Sequence, residues 1–510
     1  MRDLPEGKWM QKADAHTIQE IGIPSVVLME HAAQKTVEVM EQEGIDCSCV
    51  LVVCGSGNNG GDGFALARLL AWEGKRVHVV FGGKEASLSQ ECRMQKQIIE
   101  NLKIPVFRNI PEEPYTAVVD AVFGVGLSRG VSGNYTALLE KMNGLSCAKV
   151  AVDIPSGICS ATGRVLGCAF RADLTVAFQC EKLGTVFSPG REYAGKVRAV
   201  DIGIDTAFYK EHEEICFTLE KKDLPGLLPV RKEDSHKGTY GKVLMITGSR
   251  GMAGAAYLSA KAAYICGAGL VQIYTEESNR AILQQLLPEA VISTYEQYEP
   301  EHLKMLLEWA DVVCIGCGLG RNEISEKMLE GTLQNIKKPC VIDADGINLL
   351  ANRLELLDEV KAPVVLTPHM REMTRLLGCS MEELQEHRFE SLTEFSDRYP
   401  AVLALKDART IVVQRGKRKF VNTAGNHAMA KAGSGDVLAG VITGLLAGRK
   451  SPYDSTVLGV YLHACGGDEA RQRRGSYSVL AKDLIEGILS CLKESEEQNR
   501  KWRDLESGTP

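Results

Sequence analysis

Val50-Leu-Val-Val-Cys54 runs directly into Gly55-Ser-Gly-Asn-Asn-Gly-Gly-Asp-Gly63 and then into Phe64-Ala-Leu-Ala-Arg-Leu-Leu70. An apolar strand, a glycine-rich turn and an apolar helical run in that order form the unit that aims backbone N–H groups at an anion. Five glycines in nine positions cost conformational entropy, which tight turns, positive φ or close backbone approach must offset. The run lacks the Gly-Lys-Ser/Thr ending of a P-loop, and plain dinucleotide-fold spacing leaves Asn58, Asn59 and Asp62 unexplained. These three supply carbonyl and carboxylate oxygens, which suit a hard cation as well as a ribose.

Two later segments repeat the device. Ala117-Val-Val-Asp-Ala-Val-Phe-Gly-Val-Gly-Leu-Ser-Arg-Gly130 and Val150-Ala-Val-Asp-Ile-Pro-Ser-Gly157 are apolar strands that each end in an acid. One such acid fits turn-capping chemistry, but three strand ends on one parallel sheet converge on a single crevice. Asn59, Asp120, Asp153 and Ser156 are therefore expected together.

These three segments resemble the NAD(P)H-hydrate epimerase domain, the YjeF N-terminal family. The resemblance implies a potassium ion held by Asn59, Asp120 and Ser156. It also implies a hydrated nicotinamide nucleotide on Asn58, Asn59, Gly60, Gly61 and Asp62, on Gly124, Val125, Gly126, Leu127, Ser128, Arg129 and Gly130, and on Tyr135 and Asp153. Inversion at C6 of the hydrated ring needs one proton-shuttling group, and Asp153 is the candidate.

At 510 residues the chain exceeds one hydrophobic core. Its 45% hydrophobic and 25% charged content is that of a soluble globular protein, and a net charge of −7 argues against a general nucleic-acid surface. With neither a membrane-length apolar run nor a signal-type amino terminus, a cytoplasmic location is expected. The sixteen cysteines lie mostly in apolar strand-like runs, as Cys54, Cys180, Cys314 and Cys340 do, and so read as buried thiols. Cys314-Ile-Gly-Cys317 has redox spacing, but its place at a strand end before Gly318-Leu-Gly320 suggests a pocket wall instead.

Alternating strand and helix patterns occupy the chain to about Ile202 and again from Val243 to about Leu492, with a polar stretch between. The reading is α/β with two domains, 1–217 and 218–492, and a charged tail at 493–510. Each α/β half offers an apolar helix face to a copy of itself, so a homo-oligomer is expected.

The second half carries Met429-Ala-Lys-Ala-Gly-Ser-Gly-Asp-Val-Leu-Ala-Gly440. Backbone N–H groups of Ala432 to Gly435 at a helix start form an anion hole, and Asp436 is placed to accept a proton from an attacking hydroxyl. This resembles the Gly-x-Gly-Asp signature of ribokinase-like kinases. Seven more segments, at His236–Ser249, Gly251–Tyr257, Ile315–Arg321, Val341–Asn348, Leu366–Met373, Ala404–Val412 and Asn422–Asn426, extend the likeness to the ADP- or ATP-dependent NAD(P)H-hydrate dehydratase family, the YjeF C-terminal domain.

The implied fold is a Rossmann-like three-layer sandwich followed by a ribokinase-like three-layer sandwich. By the same resemblance Lys406, Asp407, Ala408, Arg409 and Thr410 would hold the adenine nucleotide, joined by Asn426, His427, Ala428, Met429, Ala430, Lys431, Ala432, Gly433, Ser434 and Gly435. Ala255, Gly318, His369, Met370, Arg371, Glu372, Met373, Thr374 and Asp436 would face the hydrate. A magnesium ion would accompany the ADP or ATP, within reach of Asp343 and Asp345 through water. The chain departs from the family pattern at Met370, at Asp407 and at His427-Ala428, where Pro, Gly and Pro-Gly are common. The alternatives are a pyrimidine or thiazole kinase in the second half and a non-catalytic nucleotide-binding module in the first.

Overall fold

The structure is a computed structural model that describes residues 1–507 except 211, 230 and 232, and for 501–507 the helix alone. It divides into two compact units, Asp3–Phe217, and Thr218–Pro510 with Met1–Arg2.

The first unit opens with helices α1 (Gly7–His16) and α2 (Ser25–Gln42) and continues with β1 (Cys49–Cys54), α3 (Asn58–Trp72), β2 (Arg76–Phe81) and β3 (Val106–Phe107). Strands β4 (Ala117–Ala121), β5 (Ala148–Val152), β6 (Leu174–Phe178) and β7 (Lys196–Val200) complete it. All seven strands pair in parallel in the order β3-β2-β1-β4-β5-β6-β7. β1, β4 and β5 are apolar because helices cover both faces of a parallel sheet. The order reverses between β1 and β4, so a crevice opens at their carboxyl ends.

Apart from Gly57, which faces open space, the glycines of the 55–63 run serve close approach rather than positive φ. Helix α3 begins inside the run, at Asn58. A Cβ at Gly60 would lie 2.1 Å from the Gly55 carbonyl oxygen, and one at Gly63 would lie 2.5 Å from Ala121 Cβ. None of the five has a positive φ.

The second unit repeats this plan without a sequence repeat. Its strands β8 (Lys242–Ile246), β9 (Leu270–Glu276), β10 (Val291–Tyr295), β11 (Val312–Ile315), β12 (Cys340–Ile342), β13 (Val364–Leu366) and β14 (Ala401–Leu405) are parallel. β15 (Ile411–Val413) and β16 (Phe420–Val421) continue the sheet in antiparallel pairs, and these nine strands follow in the order β16-β15-β14-β13-β12-β11-β8-β9-β10. The switch point lies between β8 and β11. Helix α5 (Ser434–Ala447) packs on α4 (Ala253–Ile265) through small residues, since a Cβ at Gly440 would stand 2.1 Å from the Ser259 carbonyl oxygen.

That contact yields a prediction. In an open helix Gly→Ala gains about 1 kcal/mol of propensity, whereas forcing a methyl against backbone costs about 1–3 kcal/mol. Gly440→Ala is expected to destabilise the unit by about 1–2 kcal/mol, read as a lower urea midpoint with unchanged slope. An equal or higher midpoint would show that the helices separate freely.

Cys54, Cys314, Cys317 and Cys340 are free buried thiols, whereas Cys180, expected among them, is half-buried. Among the described residues no helix is long and apolar enough to cross a membrane.

Candidate active sites

In the first unit, a cavity of about 510 Å³ opens at the carboxyl end of the sheet. Asn58, Asn59, Asp62, the stretch Gly124 to Arg129, and Asp153 line it. The Asp153 backbone has φ +68°, a conformation uncommon for a residue with a side chain, and it turns the chain at the end of β5. Its Oδ1 accepts the Phe178 N–H at 3.1 Å and an ion-paired hydrogen bond from Lys182, whose side chain is 1% exposed. Lys182 also donates to the Phe178 carbonyl at 2.7 Å, so a buried cation is fixed from two sides.

Asp120 is buried beside this cavity. Its carboxylate accepts the Ser156 hydroxyl at 2.6 Å, the Ser156 N–H at 2.7 Å and the Val122 N–H at 3.1 Å. Burial pushes it up to about 6 against the pull of those three hydrogen bonds. The buried Asn59 amide stands next to Gly124, and its Nδ2 has no hydrogen-bond partner. Asp62 is held well above the usual carboxylate range by burial and then by the charges of Asp153 and Asp14.

Several expected contacts take other roles. Gly60 and Gly61 do not line the cavity: Gly60 lies against the Gly55 carbonyl and Gly61 against the Met29 thioether. Tyr135 packs against Phe123 with ring centroids 4.7 Å apart and the rings tilted by 56°, and it does not line the cavity. Gly130, Asp120 and Ser156 are also outside its lining.

Sequence reasoning missed Gln11, Asp14, Ser25 and Lys182, all of which line the cavity. Lys182 follows β6, so the strand-end argument carried one strand further would have found it. Gln11 and Asp14 come from α1, where no local pattern marks a ligand-facing residue.

In the second unit the strand ends deliver Cys317, Asp343, Thr367 and Lys406 to one place. Asp343, 1% exposed, accepts the Thr367 hydroxyl at 2.6 Å and an ion-paired hydrogen bond from Lys406 on Oδ1. Its Oδ2 faces the Cys317 thiol at 3.7 Å. The start of α5 lies over this group, since a Cβ at Gly435 would be 3.4 Å from Lys406 Nζ and 3.9 Å from Asp343 Oδ2. Gly433 turns the chain into the helix with φ +88°.

Half-buried Asp436 in the first turn is pushed up to about 6, by burial first and by the Asp343 charge second. His463 approaches the Ser434 hydroxyl at 3.3 Å and is held down to about 4 by burial. Gly318 and Ala255 adjoin, a Cβ on the glycine falling 2.8 Å from that of Ala255.

Five side chains differ from expectation. Glu372 is buried and accepts the His369 N–H at 2.8 Å while His369 Nδ1 accepts the Glu372 N–H at 3.1 Å, a reciprocal cap on the helix Met370–Leu377. Met373 on that helix is wholly buried and belongs to the core. The guanidinium of buried Arg409 donates to the Thr423 carbonyl at 2.9 Å, which ties two chain segments together instead of neutralising phosphate. Asn426 spends its amide on the Gly467 carbonyl and on Asp468. Asp345 is engaged by the Gly320 N–H at 2.9 Å and by Arg321.

A family model described as NAD(P)H-hydrate dehydratase matches residues 243–490, and one described as YjeF-related protein N-terminus matches residues 25–184. The chain is 35% identical to a bifunctional NAD(P)H-hydrate repair enzyme of Moorella thermoacetica, with 96% of each chain covered. It is 33% identical to the enzyme of that name from Escherichia coli, with 94% of this chain and 93% of that one covered. A crystal structure of a ribokinase-like superfamily protein from Enterococcus faecalis aligns with a TM-score of 0.51 and 30% identity, covering 56% of this chain and 99% of that one.

Proposed function

The chain belongs to the family of bifunctional NAD(P)H-hydrate repair enzymes, and from that premise we propose which of its residues perform each half of the repair. The first unit is the epimerase for the R and S hydrates, and the second is the nucleotide-dependent dehydratase that restores NADH or NADPH.

In the epimerase, Asp153 exchanges the proton of the C6 hydroxyl as the ring opens and recloses. Lys182 holds that carboxylate in place from the buried side. Asn58 and the backbone from Gly124 to Arg129 bind the nucleotide. Asn59, Asp120 and Ser156, all buried, fit a potassium ion through a carbonyl, a carboxylate and a hydroxyl oxygen, since one carboxylate with neutral oxygens offers too little charge to strip magnesium of water. Such an ion would supply positive charge beside the nucleotide's phosphates.

In the dehydratase, Asp436 takes the proton of the S hydrate's C6 hydroxyl as that oxygen attacks the nucleotide's terminal phosphoryl group. The N–H groups at the α5 start and the Lys406 ammonium receive the charge that develops on the phosphoryl oxygens. The ring nitrogen's electron pair then expels phosphate to leave an iminium across N1 and C6, and loss of a C5 proton to solvent restores the C5–C6 double bond of the dihydronicotinamide. A magnesium ion would come with the nucleotide and offset phosphate charge, and the Asp343 carboxylate would hold it through water, leaving Asp436 free as the base. The observation that carries this reading is the meeting of Asp436, Asp343 and Lys406 under the glycine-rich helix start.

The test is to incubate the full chain with mixed R and S NADHX, with and without ADP, and follow recovery of dihydronicotinamide absorbance. Complete recovery with ADP and epimer equilibration without it are expected. Recovery of only the S fraction would remove the epimerase assignment, and no recovery would remove the dehydratase assignment.

A cation prediction follows from Asp120. Replacing potassium by tetramethylammonium is expected to raise the hydrate concentration needed for half-maximal epimerisation, and Asp120→Asn to lose most of that response. Indifference to potassium together with rescue by magnesium after chelation would reassign the site.

A further inference from the structure

We propose that Cys317, Asp343 and Asp436 form a binding site for a thiophilic divalent cation such as zinc or cadmium, and that its occupation switches the dehydratase off. One ligand atom from each residue lies within 4.8 Å of the other two. Three atoms so placed share a point no more than about 2.8 Å (4.8/√3) from any of them, against roughly 2.0–2.3 Å for zinc to oxygen and sulfur. Side-chain adjustments of about half an ångström bring the three donors to those distances, and water takes the fourth position.

The donors are available. The Lys406 ammonium and the Thr367 hydroxyl both occupy Oδ1 of Asp343, leaving Oδ2 toward the thiol. Asp436 is half-buried, so the group is reached from the crevice while Cys317 and Asp343 form its floor.

Charge also balances. A thiolate and two carboxylates carry three negative charges, Lys406 returns one, and the remaining two match a divalent ion. On binding, the Cys317 S–H proton passes to solvent as the sulfur–metal bond forms, with no change of oxidation state. Magnesium, which takes oxygen donors, gains nothing from the thiol, so the site discriminates by softness. A soft ion there ties up Asp436, the base of the proposed dehydration. The inhibitory half of the inference rests on that role, whereas the binding half does not.

The test uses the full chain freed of metal. Cadmium is titrated in while ultraviolet thiolate-to-cadmium absorption is recorded, and zinc is titrated into separate dehydration and epimerisation assays. Dehydration is expected to fall at least tenfold with zinc and to recover with EDTA, while epimerisation persists. Each variant is compared with itself: Cys317→Ser should need at least tenfold more zinc for half-inhibition and lose part of the cadmium absorption, whereas Cys314→Ser should keep both. Equal zinc sensitivity in wild type and Cys317→Ser would overturn the proposal.

If Cys317→Ser does not fold, X-ray absorption at the zinc edge of the wild-type protein decides. One sulfur among oxygen donors supports the site, and two or more sulfurs, or none, rejects it. Cadmium absorption that depends on Cys317 in a chain that never dehydrates NADHX would keep the site and remove the Asp436 mechanism.

Discussion

Asp436→Asn is expected to lower dehydration of the S hydrate by about 10²–10⁴-fold, because it removes the proposed base while preserving size at the start of α5. ADP binding should survive, since backbone N–H groups and Lys406 meet the phosphates. Epimerisation should be unaffected. The wild-type rate carries a pH signature. A base whose pKa is pushed up to about 6 is protonated below that pH, so turnover should fall as pH drops through about 6 and level off above it. The neighbouring Asp343 charge contributes to that value, so Asp343→Asn should shift the inflection to lower pH. Unchanged turnover in Asp436→Asn, or a flat profile from pH 5 to 8, would exclude Asp436 as the base.

The second large effect concerns the Asp153–Lys182 pair. Asp153→Ala should stop R-to-S exchange beyond the spontaneous rate, so that ADP-driven repair of a mixed sample stalls with the R form left over. Both partners are largely buried, with side chains 11% and 1% exposed, so removing either strands the other's charge. Each of Asp153→Ala and Lys182→Met should therefore cost about 3–5 kcal/mol of stability in the first unit, and the double variant less than the two together. Lys182→Met retains the proton-exchanging carboxylate but frees its position, so its loss should be smaller in rate than that of Asp153→Ala. Complete repair by Asp153→Ala would end the assignment. Additive stability losses would show that the two charges do not interact.

The local sequence alone determined the existence of two doubly wound α/β units and much of the two crevices. A strand ending in Asp120 or Asp153, or a helix opening at Gly433-Ser-Gly-Asp436, is specified by residues within about ten positions of one another. The identities of those acids and glycines were thus legible. So was the family, because its signatures are contiguous.

The tertiary structure decided the partners. Lys182 and Asp153 are 29 residues apart, and Cys317, Asp343, Lys406 and Asp436 come from four separate strand and helix ends. Only the sheet order, reversing between β1 and β4 and again between β8 and β11, brings such ends together. Folding also changed the meaning of residues that the sequence pattern had marked for ligands. Gly60 is small because the Gly55 carbonyl occupies the space of its Cβ, Arg409 is consumed by the Thr423 carbonyl, and Glu372 caps the helix on which it sits. A sequence motif specifies which chemistry is present on a loop. Which groups remain free to act is fixed by what packs against them, through burial, hydrogen bonding and the charge of neighbours distant in the chain.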